Sequence, residues 1–325
     1  MRLDQLGEWE LIERLSAYAP EGQLADDAAI LSPSRSGAVV VNTDVLVDTV
    51  HFSDATMSPQ DLGWRAAAAN LSDLAAMGCS DVLGLTVGLV APGDTAWDWV
   101  EGVYQGLSEA LQRYGGRLLG GDCSSGQQRL LAITALGSLG PGPIRRGDGQ
   151  PGDWLVSTGP HGLSRLGLAL LQNQLEEPVP ADLRQRAIQA HQRPRPRLDA
   201  IGALEASQPQ GSPWRVCGTD SSDGLQRAVL NLAHASGCAA QLQRTALPCD
   251  PAMAALSSGE RWCLNGGEDF ELVLALEPAW AQRLGAALPG CQVIGELVAA
   301  ASPALSWSES GLPLSDNDPG YRHFS

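Results

Sequence analysis

Carboxylates recur along this chain at the edges of apolar stretches, each beside Gly, Ser, Thr or Ala. The segments that carry them are ADDAA (Asp26, Asp27), NTD (Asp44), NLSDLAAMG (Asp73), GGDCSSG (Asp122), TDSSDGL (Asp220, Asp223) and GGEDFEL (Glu268, Asp269). Taken alone, each residue fits a helix cap or a turn, where aspartate is common. If the segments converge, they form an oxygen-rich site of the kind that binds Mg²⁺ together with substrate phosphates.

Three features favour phosphate chemistry over a set of unrelated caps. Asp73 lies in the last turns of a predicted Ala/Leu-rich helix, where the helix dipole disfavours an anion and a nearby cation would compensate. The Gly-rich flanks let a phosphate approach backbone N–H groups. Ser222 and Asp223 begin a predicted helix, whose N-terminus suits an anion once a metal offsets Asp223. The combination predicts Mg²⁺–polyphosphate chemistry.

Composition narrows the classes of protein. All 21 basic residues are Arg, which excludes a Walker A lysine, a protein-kinase strand lysine and a lysine Schiff base. A net charge of −16 without a basic run argues against nucleic acid and anionic membranes as partners. The seven Cys show no zinc-site spacing and are read as buried small side chains in a reducing compartment. With no membrane-length apolar run and no signal-peptide pattern, the cytoplasm is the expected location.

Strands and helices alternate along the sequence and must position these carboxylates. A Gly- and Pro-rich linker at 140–153 separates two stretches of similar style, and it predicts domains over 1–140 and 141–325. The first helix is expected to have Ser58 as N-cap and Pro59 at its first position. The predicted strands are 38–47, 82–90, a short RLL, 130–139, WLVSTG, 238–243, 270–276 and 291–298, and the predicted helices are 58–78, 94–114, 162–173, 182–191, 197–206 and 223–236.

The motifs, in this order and spacing, resemble those of the thiamine-monophosphate kinases, a family within the aminoimidazole-ribonucleotide synthetase-like superfamily. They are ADDAAIL, NTDVLVDTVHF, NLSDLAAMG, GGDCSSG, DSSDGL and GGEDFELVLAL, with a GYRHF ending. The resemblance implies an α/β fold of the α+β type in two domains. The N-terminal domain would have a mixed sheet with helices, would bind metal and ATP, and would pair its sheet across a homodimer. The C-terminal α/β domain would close the active-site cleft.

The resemblance also implies roles for individual residues. Asp44, Asp73, Asp122 and Arg146 would act in catalysis, with Mg²⁺ as cofactor and ATP and thiamine monophosphate as substrates. The implied metal ligands are Asp27, Asn42, Thr43, Asp44, Asp73, Asp122, Asp220 and Asp223. The implied ATP contacts are Gly121, Asp122, Arg146 and Ser222, and the implied contacts to thiamine phosphate are His51, Glu268 and an aromatic near the C-terminus, Tyr321 or Phe324.

Three positions depart from the family pattern or leave it open. Ala25 stands where a Gly is expected before the paired aspartates, and of that pair Asp27 is favoured as the ligand. Asn42 stands where Ser or Thr is expected, although its amide oxygen can still bind a metal. In IRRGDG the register is uncertain by one residue, so Arg145 is an alternative to Arg146.

The implied chemistry needs neither lysine nor a general base, because a phosphate monoester is largely a dianion at neutral pH, with a second pKa near ~6. Direct in-line attack on the ATP γ-phosphate then needs positioning and positive charge. Two alternatives remain: another ATP-dependent enzyme of the superfamily, or a non-catalytic metal- or nucleotide-binding protein. The QRPRPR stretch at 192–197 is read as a solvated cap or as contacts to the protein's own acidic surface.

Overall fold

The computed structural model describes Arg14, residues 16–18 and residues 38–314. The chain forms two compact units. The first contains the described residues up to Leu74 together with Cys79–Leu139, and the second contains Ala75–Gly78 with the chain from Gly140 onward. Each unit is built on its own β-sheet.

The first unit has a mixed four-stranded sheet in the order β1-β4-β2-β3. β4 pairs antiparallel with both β1 and β2, whereas β2 and β3 run parallel. Within residues 38–139 the structure describes two helices, and Ser58 caps the first, because its Oγ accepts a hydrogen bond from the Asp61 N–H. The elements are β1 Val39–Val47, α1 Pro59–Ala76, β2 Cys79–Ala91, α2 Trp97–Tyr114, β3 Leu118–Ser125 and β4 Leu130–Leu139.

The two faces of the first sheet differ in chemistry because side chains alternate along each strand. On β1, Asn42 and Asp44 lie on the inner face, which contacts α1 through Asn70 and Asp73. Val39, Val41 and Val45 lie on the outer face and are exposed. Along β1 the first sheet therefore has polar side chains on its inner face and an exposed apolar stripe on its outer face.

The second unit has a six-stranded sheet in the order β10-β7-β9-β5-β8-β6, in which every pair except β10 with β7 is antiparallel. Helices cover apolar residues of this sheet in two clusters. The elements are β5 Trp154–Ser157, α3 Leu163–Leu171, α4 Ala181–Gln192, α5 Leu198–Ser207, β6 Cys217–Asp220, α6 Leu225–Ala235, β7 Ala239–Leu242, α7 Pro251–Ala254, α8 Gly259–Asn265, β8 Leu272–Leu276, α9 Pro278–Ala287, β9 Gln292–Val298 and β10 Leu305–Trp307.

Most predicted elements are present, and the differences have identifiable causes. β3 was predicted to be only a short RLL strand, but it continues to Ser125. Gly121 permits this, because a Cβ there would approach the Val87 carbonyl oxygen to 2.0 Å in the neighbouring strand. The short strand β6, which contains Gly218, was not predicted, and neither were α7, α8, α9 and β10. None of the helices in the described ranges is both long and apolar enough to cross a membrane.

Candidate functional site

A polar pair joins β1 to α1 on the inner face of the first sheet. The Nδ2 of Asn42 donates a hydrogen bond to Oδ2 of Asp73 over 2.8 Å. Asp73 lies near the C-terminal end of α1, as the sequence indicated. The structure thus brings together two of the predicted metal ligands, and the amide of Asn42 supplies the partner that Asp73 requires in this half-buried position.

Asn70 organises this pair and had no predicted role. Its side chain is fully buried, and its Oδ1 accepts hydrogen bonds from the Asn42 amide at 3.1 Å and from the Asp44 N–H at 3.2 Å. Its Nδ2 donates to the Ala66 carbonyl oxygen one turn earlier in α1. The signal that could have revealed it is an Asn within an Ala-rich helix, three residues before Asp73 and therefore on the same helix face.

Asp44 shares the inner face with Asn42, two residues along β1. Burial raises the pKa of this carboxyl above its ordinary value, and the nearby His51 acts in the opposite direction. A carboxylate in such surroundings gains from a cation, because a positive charge favours its ionised form. Its position two residues from Asn42 places both side chains toward α1.

Thr43 and Asp122 do not join this group within one chain. The strand register aligns Val45, Ala132, Gly88 and Asp122 in one row across the sheet, so Asp122 lies on the outer face. Thr43 also lies on the outer face, where its Oγ1 is 2.8 Å from Oγ1 of Thr134. Alternation along the strands therefore places these two side chains on the opposite face of the sheet from Asn42 and Asp44, and their role as metal ligands stays a prediction.

The inner-face group fits a hard cation in donor chemistry. Oδ1 of Asn42 is buried and has no hydrogen-bond partner among the described residues, and an orphaned buried acceptor is costly unless a ligand or ion satisfies it. Amide and carboxylate oxygens from Asn42, Asp44 and Asp73 are the ligand types that Mg²⁺ takes. Within the same described ranges, however, no group of three or more His, Cys, Asp or Glu side chains is arranged to hold a metal.

His51 lies in a tight turn directly after β1. The Nδ1 of its ring accepts a hydrogen bond from the Val47 backbone N–H at 3.0 Å, and the backbone N–H of His51 donates to the Val47 carbonyl oxygen at 2.9 Å. The imidazole is therefore attached to the end of the strand that carries Asn42 and Asp44.

In the second unit, the end of β6 and the turn after it carry predicted ligands. Asp220 is buried, and its Oδ1 accepts a hydrogen bond from the Ser222 hydroxyl at 3.3 Å. Ser222 and Asp223 are exposed before α6, which begins at Leu225. Oγ of Ser221 is buried without a hydrogen-bond partner in the described part of the chain. The turn therefore combines a buried carboxylate with accessible polar groups.

Arg146 contacts the strand that precedes this turn. Its Nε donates a hydrogen bond to Oγ1 of Thr219, the residue before Asp220, at 3.1 Å. The neighbouring Arg145 pairs its backbone with β6 through hydrogen bonds to Val216 and from Gly218. Both arginines are exposed, and only Arg146 contacts β6 through its side chain.

Glu268 lies in a strained loop before β8. The backbone of Glu268 has φ of 59° and that of Phe270 has φ of 54°, a left-handed conformation that non-glycine residues rarely adopt. The Glu268 N–H donates to the Ser222 carbonyl oxygen at 2.7 Å, which joins this loop to the turn after β6. Such strain costs about 1–3 kcal/mol per residue and is concentrated at functional sites. The backbone thus gives Glu268 a feature that a simple strand opening does not need.

Asp269 and Glu271 anchor the residues that directly follow Glu268. Asp269 accepts hydrogen bonds from the Gly162 N–H at 2.6 Å and the Ser164 N–H at 3.0 Å, so it satisfies the first turn of α3. Burial raises the pKa of Asp269 to about 7. Glu271 accepts hydrogen bonds from the Thr158 hydroxyl at 2.6 Å and from Arg197. These contacts fix the chain on both sides of Phe270, directly after Glu268.

Arg197, the last residue of the QRPRPR stretch, is buried, whereas the stretch was predicted to lie at the surface. Arg197 is only 7% exposed, and its guanidinium donates to Asp199, to Glu271 and to the Thr158 carbonyl oxygen. It contacts acidic residues, as one of the two interpretations held, but in the interior and not on the surface. Asp27, Tyr321 and Phe324 lie outside the described residues.

The chain is similar to known proteins over nearly its whole length. Residues 25–139 match the family described as AIR synthase related protein, N-terminal domain, and residues 150–308 match its C-terminal domain. Thiamine-monophosphate kinase of Synechococcus elongatus is 47% identical over 99% of this chain and 98% of the relative. That of Prochlorococcus marinus is 44% identical over 99% and 97%. A solved complex, AaThiL with AMPPCP and TMP, matches with a TM-score of 0.76 and 27% identity, covering 100% of this chain and 99% of that one.

Proposed function

The chain belongs to the thiamine-monophosphate kinase family, and on this premise we propose that it transfers the γ-phosphate of ATP to thiamine monophosphate, giving thiamine diphosphate and ADP. The observation that carries the proposal is the hydrogen bond between Asn42 and Asp73, beside a buried and unsatisfied oxygen of Asn42, in a chain whose relatives are thiamine-monophosphate kinases. Asp44 lies two residues along the same face of β1. The solved complex with an ATP analogue and TMP supports the same pair of substrates.

We propose that transfer is direct and in line. A phosphate monoester oxygen is already a nucleophile at neutral pH, since the second pKa of a phosphate monoester is near ~6. The protein's task is then to align two anions and offset their repulsion. Arg146 supplies a fixed positive charge to ATP, with Gly121 and Ser222 as further ATP contacts. His51 and Glu268 hold thiamine monophosphate, and the strained loop supports a ligand-facing role for Glu268.

The proposal includes several Mg²⁺ ions, which would neutralise the phosphate charges during transfer. Asn42, Asp44 and Asp73 would hold metal on the inner face of the first sheet. The buried acceptor on Asn42 supports this assignment. Asp220 and Asp223 would hold metal in the second unit, where Ser222 orients Asp220. Asp27, Thr43 and Asp122 remain proposed ligands, with Thr43 and Asp122 on the outer face.

The uncovered outer face supports a homodimer. Val39, Val41 and Val45 are 47%, 63% and 46% exposed on the edge strand β1, and an apolar stripe at an edge strand favours association. We propose that two copies pair these sheets. Residues 1–140 would then serve metal binding, ATP binding and dimerisation, and residues 141–325 would complete the active site. Because ATP is an intracellular donor, we propose the cytoplasm as the site of action.

ADP release tests the function against its alternatives. The purified protein is incubated with ATP and Mg²⁺, with or without thiamine monophosphate. The proposal predicts ADP release only when thiamine monophosphate is present. Release that depends on a different acceptor would indicate another enzyme of the superfamily, and no release with ATP binding retained would indicate a non-catalytic nucleotide-binding protein.

A further inference from the structure

The turn after β1 carries His51 and is closed in an unusual way. The Thr49 N–H donates to the Phe52 carbonyl oxygen at 2.8 Å, and Thr49 has φ of 65°. A β-branched residue in the left-handed region is a genuine outlier, with a cost of about 1–3 kcal/mol. The surrounding structure must therefore hold this turn in place.

The start of β4 supplies that support. Nε of Arg129 donates to Oδ2 of Asp48 at 2.7 Å, and its two terminal nitrogens donate to the two carboxylate oxygens of Asp54 at 3.0 Å each. Its guanidinium also lies over the Trp99 ring, 4.8 Å from the centroid, and 5.9 Å from that of Phe52. Arg129 therefore joins both ends of the turn. It forms ion pairs with Asp48 before His51 and with Asp54 after it, and it also contacts the Phe52 ring.

Gln128 adds a second attachment beside Arg129. Its Nε2 donates to the Asp48 carbonyl oxygen at 2.5 Å and lies 3.3 Å from Oγ1 of Thr49. The Asp48 N–H donates to the Arg129 carbonyl oxygen at 3.0 Å, which continues the β1–β4 pairing into the turn. The bidentate contact of Arg129 to Asp54 is geometrically specific, and the Arg129 side chain is only 17% exposed.

The turn also determines which nitrogen of His51 carries the proton. Nδ1 accepts the hydrogen bond from the Val47 N–H, so in the neutral ring the proton lies on Nε2. Nε2–H is therefore the hydrogen-bond donor of the His51 ring. The phosphate of a phosphate monoester carries only acceptor oxygens at neutral pH, and it is complementary to a donor held in this way.

We propose that Arg129 is a positioning residue for the acceptor substrate: by joining Asp48 and Asp54 it holds the turn that fixes His51 as an Nε2–H donor to the phosphate of thiamine monophosphate. This inference rests on the proposed function for its substrate. The fixed tautomer and its dependence on Arg129 are properties of the chain alone. The two parts can therefore fail separately.

The test compares Arg129→Gln and the milder Asp54→Asn with a matched control, Arg186→Gln. Arg186 also bridges two aspartates, Asp182 and Asp250, but lies in the second unit. Imidazole ¹H–¹⁵N NMR of the full-length protein reports the tautomer of His51, and steady-state kinetics report KM for both substrates. We expect the wild type to show the Nε2–H form. Both turn variants should show mixed tautomers and a KM for thiamine monophosphate raised about ten-fold, with KM for ATP unchanged.

The control variant should lose some thermal stability and keep the wild-type tautomer and KM values. If Arg129→Gln and Asp54→Asn also keep them, Arg129 is only a structural contact and the inference is wrong. If the tautomer changes while KM for thiamine monophosphate does not, His51 does not face the substrate and the inference is equally overturned. Absence of thiamine monophosphate turnover in the wild type would instead refute the proposed function, and the NMR measurement would still decide whether Arg129 fixes His51.

Discussion

The side-chain amide of Asn42 on β1 donates a hydrogen bond to the carboxylate of Asp73 on α1 over 2.8 Å. The contact joins two candidate metal ligands that lie 31 residues apart in the sequence, and it leaves the buried Oδ1 of Asn42 without a partner in the described part of the chain. An amide at this position therefore links two ligands and still offers an oxygen to a cation.

Replacing Asn42 with Asp is the first test of this arrangement. Asn42→Asp puts a carboxylate beside Asp73, and losing a hydrogen bond to a charged group costs about 1.5–3 kcal/mol before repulsion is added. Thermal denaturation should show a lower Tm in EDTA and a larger rise on adding Mg²⁺ than in the wild type. Asn42→Ala should lower Tm without the larger Mg²⁺ response. Equal Mg²⁺ responses in all three proteins would contradict a metal at this position.

Three aspartates test the metal site through turnover. Asp44→Asn, Asp73→Asn and Asp122→Asn should each reduce kcat at least ~100-fold. Each replaces a charged ligand of the metals that would neutralise the reacting phosphates. Circular dichroism should show an intact fold. Asp94→Asn, at an exposed loop position, is the matched control and should keep normal kcat. Near-normal activity in two of the three variants would show that these carboxylates do not form the site.

Arg197 and Glu271 test the support of the substrate loop. Arg197→Met leaves the buried Glu271 without its main cationic partner, and breaking a buried ion pair from one side costs about 3–5 kcal/mol. Urea unfolding should show this loss. Adding Glu271→Gln should recover part of it, since no unpaired charge then remains. Strictly additive losses would mean that the two side chains are not coupled.

Asp269 gives a pH dependence with a definite sign. Its pKa of about 7 in the folded protein lies above the ordinary value for Asp because of burial, so the folded state binds this proton more tightly than the unfolded chain does. The stability that protonated Asp269 contributes is present at low pH and is lost as pH rises through about 7. Relative to Asp269→Asn, the wild type should thus become less stable in urea unfolding between mildly acidic and neutral pH. A flat or rising difference would contradict the raised pKa.

Glu268 separates the substrate from the nucleotide. In the proposed function its carboxylate faces thiamine, and losing one charged hydrogen bond costs about 1.5–3 kcal/mol. Glu268→Gln should raise KM for thiamine monophosphate about ten-fold or more and leave KM for ATP close to the wild-type value. If only KM for ATP rises, Glu268 belongs with the nucleotide. Unchanged kinetics would leave it as the opening of β8.

The sequence predicted the site better where a motif coincides with one regular element. The helical position of Asp73 and the strand position of Asn42 follow from periodicity, and the structure confirms both. Asn70 was missed because its role depends on a contact across 28 residues to β1. A single helix gives no sign of such a contact.

The remaining differences arise from strand pairing and packing. Asp122 was expected at a strand end, but it lies within β3 because Gly121 lets this strand pair closely with β2. Its face follows from register across four strands, which local sequence does not specify. Arg197 looked like a surface residue in a Pro-rich stretch, and only its distant partner Glu271 explains its burial.

Product analysis with two acceptors tests the central claim most directly. The protein is supplied with ATP and Mg²⁺ and with either thiamine monophosphate or thiamine, and the products are identified by mass spectrometry. The proposed direct attack predicts thiamine diphosphate from thiamine monophosphate and no phosphorylation of thiamine, because the thiamine hydroxyl would need a general base. Equal phosphorylation of thiamine, or no thiamine diphosphate from thiamine monophosphate, would contradict it.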